Sequence, residues 1–401
     1  MLWQALGLGL GYNATLVTIG AALLGGAAGG CGTFLTLRKR ALVSDAISHA
    51  TLPGVALAFI AASLLGFDGR SLPVLLAGSA LSALAGLLCV QWLTNRTRLS
   101  EDAAIGAVLS VFFGAGVVLL TVIQSMSATG QAGLEGFLLG ATAGMLQSEA
   151  LLIAIGGGLA LLALLILRRP LTLVAFDEEF ATSLGINVRH MDLAAMALVM
   201  AVTVIGLKVV GLILIVALLI IPPVTARFWS EQSHRVVLLA SVFGAISGYL
   251  GAALSAAYPG LPTGALIVLV AAGLFVISIL LSPRRGVLAA MLSHMKFRDA
   301  VHLRQGILAL ANGQPVFEPL TLRILKRNNL IRPDGVLTDK GRAAAARAVL
   351  DEARWQHIRH RSEYEVALTQ YDGLGPIERV LTQDQLAEID RQIGGPREAT
   401  L

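Results

Sequence analysis

The chain has 401 residues, of which 56% are hydrophobic and only 14% charged, with a formal net charge of +5. Soluble domains of this length are not built that way, so an ordinary soluble protein is excluded. Apolar stretches of about 20 residues, enough to cross a bilayer core of roughly 30 Å, recur between residues 14 and 282. Composition alone therefore makes this a multi-spanning membrane protein.

No basic start followed by a small-residue cleavage site opens the chain, so no removable signal peptide is expected. Nine spans are predicted: 14–37, 41–66, 71–94, 103–124, 150–167, 192–207, 209–226, 236–257 and 261–282. In the first, "GAALLGGAAGGCG" (residues 20–32) predicts closely packed helix backbones, because small residues let helices approach in lipid. Cys31 and Cys89 both fall inside spans and match no ligand spacing, so packing accounts for them.

A basic turn, Arg38-Lys39-Arg40, leads into "LVSDAISHATLPG". Asp45 and His49 are four residues apart and share one helical face. Two readings fit that spacing. The pair can hold one cation, imidazole and carboxylate together suiting manganese, zinc or iron. Alternatively, an interfacial Asp sits near the helix start and His49 is its partner. An ionisable residue within a span is costly and usually faces a partner or a water-filled cavity.

Further on, residues 130–146 are apolar but short, as a re-entrant or interfacial segment would be. Glu149 is placed at the outer start of a span. "FDEEFATSLGINVRHMD" (residues 176–192) reads as a short amphipathic helix, with Phe176, Phe180 and Leu184 at four-residue spacing and a stop at Gly185. The stretch 192–226 is nearly one apolar run, and a break near Gly206–Lys208 is expected because 35 residues far exceeds one span. Pro53 and Pro222-Pro223 are expected to kink or break their helices.

Lys and Arg set the orientation. With the 38–40 turn inside, twelve inside-loop cations face only Arg70 and Lys208 outside. The N-terminus is then outside and the C-terminal part cytoplasmic. Charge density rises after Leu281-Ser282-Pro283: 12 of the 30 Lys/Arg precede residue 283 and 18 follow. The expected organisation is a transmembrane domain over 1–282, a linker over 283–296 and a cytoplasmic domain over 297–401. No phosphate-binding GxxxxGK[ST] and no complete catalytic constellation occurs, so the chain is not expected to be an enzyme.

"RKRALVSDAISHATLPGVALAF" and "VVGLILIVALLIIPPVTARFW" (residues 209–229) resemble two signatures of the permeases of bacterial ABC importers for zinc, manganese and iron ions. The resemblance runs over residues 10–282. It implies an importer of a divalent transition metal, manganese favoured, in the bacterial inner (plasma) membrane. It makes Asp45 and His49 the metal-path residues and the metal a cargo, with no permanently bound cofactor. It implies that Glu178 or Glu179, Ala181, Leu184 and Gly185 mark a helix that couples to a separate cytoplasmic ATPase. The other partners implied are an external metal-binding protein, a second permease subunit (the same chain or a related one) and membrane lipid.

The C-terminal part reads as helix, basic helix, hairpin over "IRPDGVLT", then the Ala-rich helix opening at "DKGRAAAARAVLDEARW". Residues 297–396 resemble iron- and manganese-dependent repressors of the diphtheria-toxin-repressor type, which implies a small winged-helix α/β domain. Two departures count against a regulatory metal site. Ala353 and Gln356 stand where those repressors carry His and Glu, and Glu378-Arg379 stands for their Glu-His. Nucleic acid is not expected as a partner. The whole is expected to be an all-α membrane protein of about nine spans, followed by this domain. A membrane-tethered metal-responsive transcription regulator is the alternative function. A stand-alone secondary transporter is a third.

Overall fold

The structure is a computed structural model and describes residues 2–9, 11–67, 71–126, 145–258, 260–283 and 285–394. The chain divides into two compact units, residues 1–287 and 288–401. Apart from residues 145 and 146, the segment 130–146 lies outside the described residues.

The first unit is helical throughout its described residues. A short α1 (Leu2–Leu6) precedes α2 (Tyr12–Leu37), α3 (Leu42–Leu64), α4 (Leu72–Arg96), α5 (Glu101–Met126) and α6 (Gln147–Phe176). Then come a six-residue α7 (Glu178–Ser183), α8 (Val188–Val210), α9 (Leu212–Trp229), α10 (Ser233–Ala257) and α11 (Thr263–Leu281). Helices thus stand at all nine expected span positions. Eight are long and apolar enough to cross a membrane, and Leu214–Trp229 within α9 forms a shorter apolar stretch. The protein is an all-α, multi-pass membrane protein.

Helix α2 lies at the centre, packed against α6, α8, α9 and α10, while α3 packs on α4, α5 and α8. Its sequence explains the position, since a helix apolar all round has no solvent face to offer. Its glycines bring backbones into contact. A Cβ on Gly25 would lie 2.2 Å from the Gly244 carbonyl oxygen of α10, and one on Gly32 only 1.9 Å from the Leu219 carbonyl oxygen of α9. The small-residue run 20–32 therefore has named partners, close approach replacing side-chain interdigitation.

One local expectation changes. The break in the 192–226 run falls at Gly211 (φ 80, ψ 170), and Lys208 lies within α8. Only glycine adopts such a backbone cheaply, and Ile215 beyond the break packs against Gly206 before it. Pro222 and Pro223 sit inside α9 and Pro53 inside α3, and none of them breaks its helix. Neighbouring helices tolerate such prolines where they re-satisfy or shield the freed carbonyls.

Residues 283–296, expected as a linker, are helical from Val287, where α12 (Val287–Ala311) begins. In the second unit follow α13 (Pro319–Arg327), α14 (Asp339–Ile358), α15 (Glu365–Gln370) and α16 (Gln383–Ile393). Two small apolar clusters hold this unit together. One is centred on Ile307, Leu325, Ile331 and Ala345, the other on Ile358, Tyr364, Ile377 and Ile389. The expected α/β winged-helix domain is not shown by these residues. Where two short strands were expected, the described residues contain one isolated bridge, Ile331 to Leu337, around a turn at Gly335 (φ 89). The arms are too short for a ladder, because α13 ends at Arg327 and Thr338 already caps α14 by accepting from the Gly341 amide at 3.0 Å. The tethered-regulator reading rested on that domain and loses its support with it.

Candidate functional site

Asp45 lies in the first turn of α3 and His49 one turn further on. Their side chains meet, His49 Nε2 standing 3.3 Å from Asp45 Oδ1. The His49 ring packs edge-on against Phe113 of α5, with centroids 5.0 Å apart. Its second nitrogen, Nδ1, is buried and has no hydrogen-bond partner. Buried polar atoms are nearly always satisfied, so this nitrogen is an exception. The pair is not sealed in. Asp45 keeps 33% of its side-chain surface and His49 19%. Among the described residues, no group of three or more His, Cys, Asp or Glu is placed to hold a metal. Asp45 and His49 thus put one carboxylate beside one imidazole.

The short α7 stands between α6 and α8. A six-residue helix is not stable alone, and its ends are closed by specific bonds. Asp177 accepts from the Phe180 amide at 2.8 Å as N-cap. At the other end Gly185 takes a left-handed conformation (φ 79), and the Ile186 amide returns to the Ala181 carbonyl at 3.0 Å. This is a glycine-terminated helix stop. Ala181 is wholly buried. Phe176, Phe180 and Leu184 are 68%, 53% and 58% exposed, forming an uncovered apolar face. Glu178 turns to Arg38, and Glu179 is exposed. Beside Asp177 a recess of about 680 Å³ is lined by Phe34, Arg168, Arg169, Phe176 and His234 among others.

The sequence places Arg38 and Arg40 only as an orientation signal. The structure makes them contacts. Arg38 donates to Glu178, to the Val174 carbonyl at 2.8 Å and to Asp192 at 2.7 Å. Arg40 reaches the same Asp192 oxygen at 3.1 Å and Glu101 at 3.0 Å. These bonds bring the turns after α2, before α5 and around α7 to one end of the helices, as the alternation of charged loops requires. The signal missed was the carboxylates of Glu101, at the start of α5, and Asp192, past the first turn of α8. Glu149 is buried and accepts from the Leu146 amide at 3.0 Å at the start of α6. His190 is exposed, and its amide donates to Asn187.

In the second unit Arg354 stands between three carboxylates. It donates to both oxygens of Asp390, at 2.8 and 2.7 Å, with Glu378 at 3.5 Å and Asp351 at 3.7 Å. Hydrogen bonds from Arg354 hold the Asp390 carboxyl below its ordinary range, while burial pushes Asp351 up.

Comparison with known proteins bears on the first unit. The model of the ABC 3 transport family matches residues 12–282. The chain belongs to the ABC 3 transport family. Over 299 residues it is 40% identical to the manganese transport system membrane protein MntC of Bacillus subtilis (strain 168), covering 74% of this chain and 67% of that protein. Over 277 residues it is 39% identical to the zinc transport system membrane protein TroC of Treponema pallidum (strain Nichols), covering 69% and 91%. Among solved structures it is similar to PsaBC from Streptococcus pneumoniae in complex with Fab, with a TM-score of 0.62 and 30% identity over 71% of this chain and 98% of that one. The ABC 3 match contains the Asp45–His49 pair and all of α7.

Proposed function

We propose that this chain is the permease subunit of an ATP-binding-cassette importer that carries a divalent transition metal ion, manganese or zinc, into the cytoplasm. The observation that carries it is the Asp45–His49 pair, an acid and an imidazole in contact on an apolar helix with one ring nitrogen left unsatisfied. Family membership supports it, as do relatives named for manganese and zinc. Carboxylate oxygen favours the harder ion, so manganese is the preferred cargo.

Two donors per chain suit a path shared by two permease subunits, each offering its pair to the ion in passing. A site with few protein donors releases its ion, as transport requires. The uncovered face of Phe176, Phe180 and Leu184 suits docking to a separate ATPase, and an external binding protein delivers the ion at the opposite end. ATP binding and hydrolysis in that partner move α7 and alternate access to the pair.

The test is cellular manganese and zinc content in metal-limited medium. It compares a deletion strain, the strain restored with wild type, and strains restored with Asp45→Ala or His49→Ala at matched expression. One metal should fall at least tenfold on deletion, return with wild type and stay low with either variant. Unchanged metal on deletion, with no second importer present, defeats the transport reading. Full restoration by both variants defeats the role of the pair.

A further inference from the structure

The Arg38–Arg40 cluster joins three things that the transport reading treats separately. Its first arm holds α7. Arg38 donates to Glu178 in the opening turn of that helix and to the Val174 carbonyl at the end of α6. Its second arm holds α8, through Asp192, which both arginines share at 2.7 and 3.1 Å. Its third arm holds α5, through Arg40 and Glu101 at 3.0 Å. The turn that carries the arginines is itself fixed. Lys39 takes a left-handed conformation (φ 59), and the Arg40 amide returns to the Leu35 carbonyl at 2.8 Å.

What lies downstream of these anchors is the metal pair. Helix α3 opens at Leu42, two residues after Arg40, with Asp45 in its first turn. Helix α5 opens at Glu101 and carries Phe113, whose ring packs on His49. Both the helix that bears the pair and the helix that walls it are therefore tethered, at their first turns, to the cluster that grips α7. An isolated exposed ion pair would transmit little. Here the Arg38 side chain is only 13% exposed and is held by acceptors on α6, α7 and α8, so a shift of α7 either carries the turn or breaks the Arg38–Glu178 bond.

We propose that Arg38 and Arg40 form a charge clamp that transmits movement of α7 to the Asp45–His49 pair. They act as positioning residues that couple ATP use to metal release. The inference rests on the transport reading above. Arg38 is the principal arm, because it alone touches α7. Asp192 is the node through which Arg40 and α5 follow.

The experiment uses the full chain with its ATPase and its binding protein, reconstituted in phosphatidylethanolamine–phosphatidylglycerol vesicles. Manganese and zinc uptake and ATP hydrolysis are read in the same sample, with the melting temperature of the complex beside them. For Arg38→Ala, ATP hydrolysis should stay within about twofold of wild type while metal moved per ATP falls at least tenfold. Arg38→Lys, which keeps the charge but not the fork, should recover part of that ratio. Asp192→Asn should lower the ratio too, and it carries the test if Arg38→Ala does not fold. Hydrolysis, uptake and melting temperature falling together would mean a merely structural role and overturn the clamp. An unchanged ratio in both Arg38→Ala and Asp192→Asn would overturn it as well. If wild type moves neither metal, the transport reading falls and takes the clamp with it. If wild type moves metal and the ratio is unchanged in the variants, only the clamp falls.

Discussion

In residues 1–287 charge is gathered at one end, where Arg38 and Arg40 meet Glu101, Glu178 and Asp192. The interior there is built by backbone contact, such as Gly25 against Gly244. In residues 288–401 charge goes inside. Arg354 is only 7% exposed, and it joins α14 to Asp390 of α16 and to Glu378 between them. Around it lie two small apolar clusters rather than one large core. The contrast follows from the solvent. Lipid provides no hydrophobic drive between helices, so stability comes from close packing of small residues. A unit this short buries too little apolar surface to rely on it alone, and an ion network ties its pieces together.

The sharpest way to break this comparison is a side chain placed where backbones touch. Gly32→Leu should cost more than about 3 kcal/mol, since overpacking against a carbonyl cannot be relieved by a rotamer change. Gly158→Leu, on α6 with nothing within 4 Å of its would-be Cβ, should stay within about 0.5 kcal/mol. Folded yield and melting temperature in detergent separate the two. If both variants behave alike, backbone contact is not what holds the first unit.

Arg354→Met tests the other side. It keeps the volume but removes the bidentate partner of Asp390 and leaves buried Asp351 with Arg304 alone, and should cost about 3 kcal/mol. Hydrogen exchange on the full chain should then speed up in α14 and α16 while α2 and α10 are unchanged. Equal exchange in wild type and variant would show that the ion network contributes nothing.

Effects on the proposed docking face should be functional and not structural. Phe180→Ala and Leu184→Ala should each leave the melting temperature within error, because both side chains are largely exposed. Each should weaken association with the ATPase about tenfold, a change of about 1.4 kcal/mol. Unchanged association would remove α7 as the docking element.

The smallest effect expected is on pH. The Asp390 carboxyl is held below its ordinary range by Arg354. Its stabilisation is present above the unfolded value near pH 3.9 and fades as pH falls through the lower folded value. Asp351 is raised by burial and works the other way, losing stability as pH rises from its unfolded to its folded value. Calorimetry of the full chain should show the second unit weakening below about pH 4 in wild type, and a shallower slope in Arg354→Met.

Much of this was legible from local signals. Nine apolar runs became nine helices because a run of that length in lipid must satisfy its backbone within itself. Asp45 and His49 were readable as one face from their spacing, and α7 from its Phe176–Phe180–Leu184 stripe and its glycine stop. The break at Gly211 was misplaced to residues 206–208. Lys208 looked like a turn residue, yet what breaks the helix is a left-handed backbone that Gly211 adopts. Asp334-Gly335 signals the turn that forms, but α13 and α14 leave arms that carry only the Ile331–Leu337 bridge among the described residues, so no strand pair is shown.

The sequence by itself determined that the protein spans a membrane, where its helices lie, which end carries the charge, and that one acid and one imidazole share a face. These follow from hydrophobic length, helical period and local caps, all set by residues near one another in the chain. Only the tertiary structure decided that α2 is the central helix, that His49 faces Phe113, and that Arg38 grips Glu178 across 140 residues. It also decided that Arg354 lies among three carboxylates. Those pairings join distant segments, and no local pattern of charge or hydrophobicity says which of many possible partners will arrive.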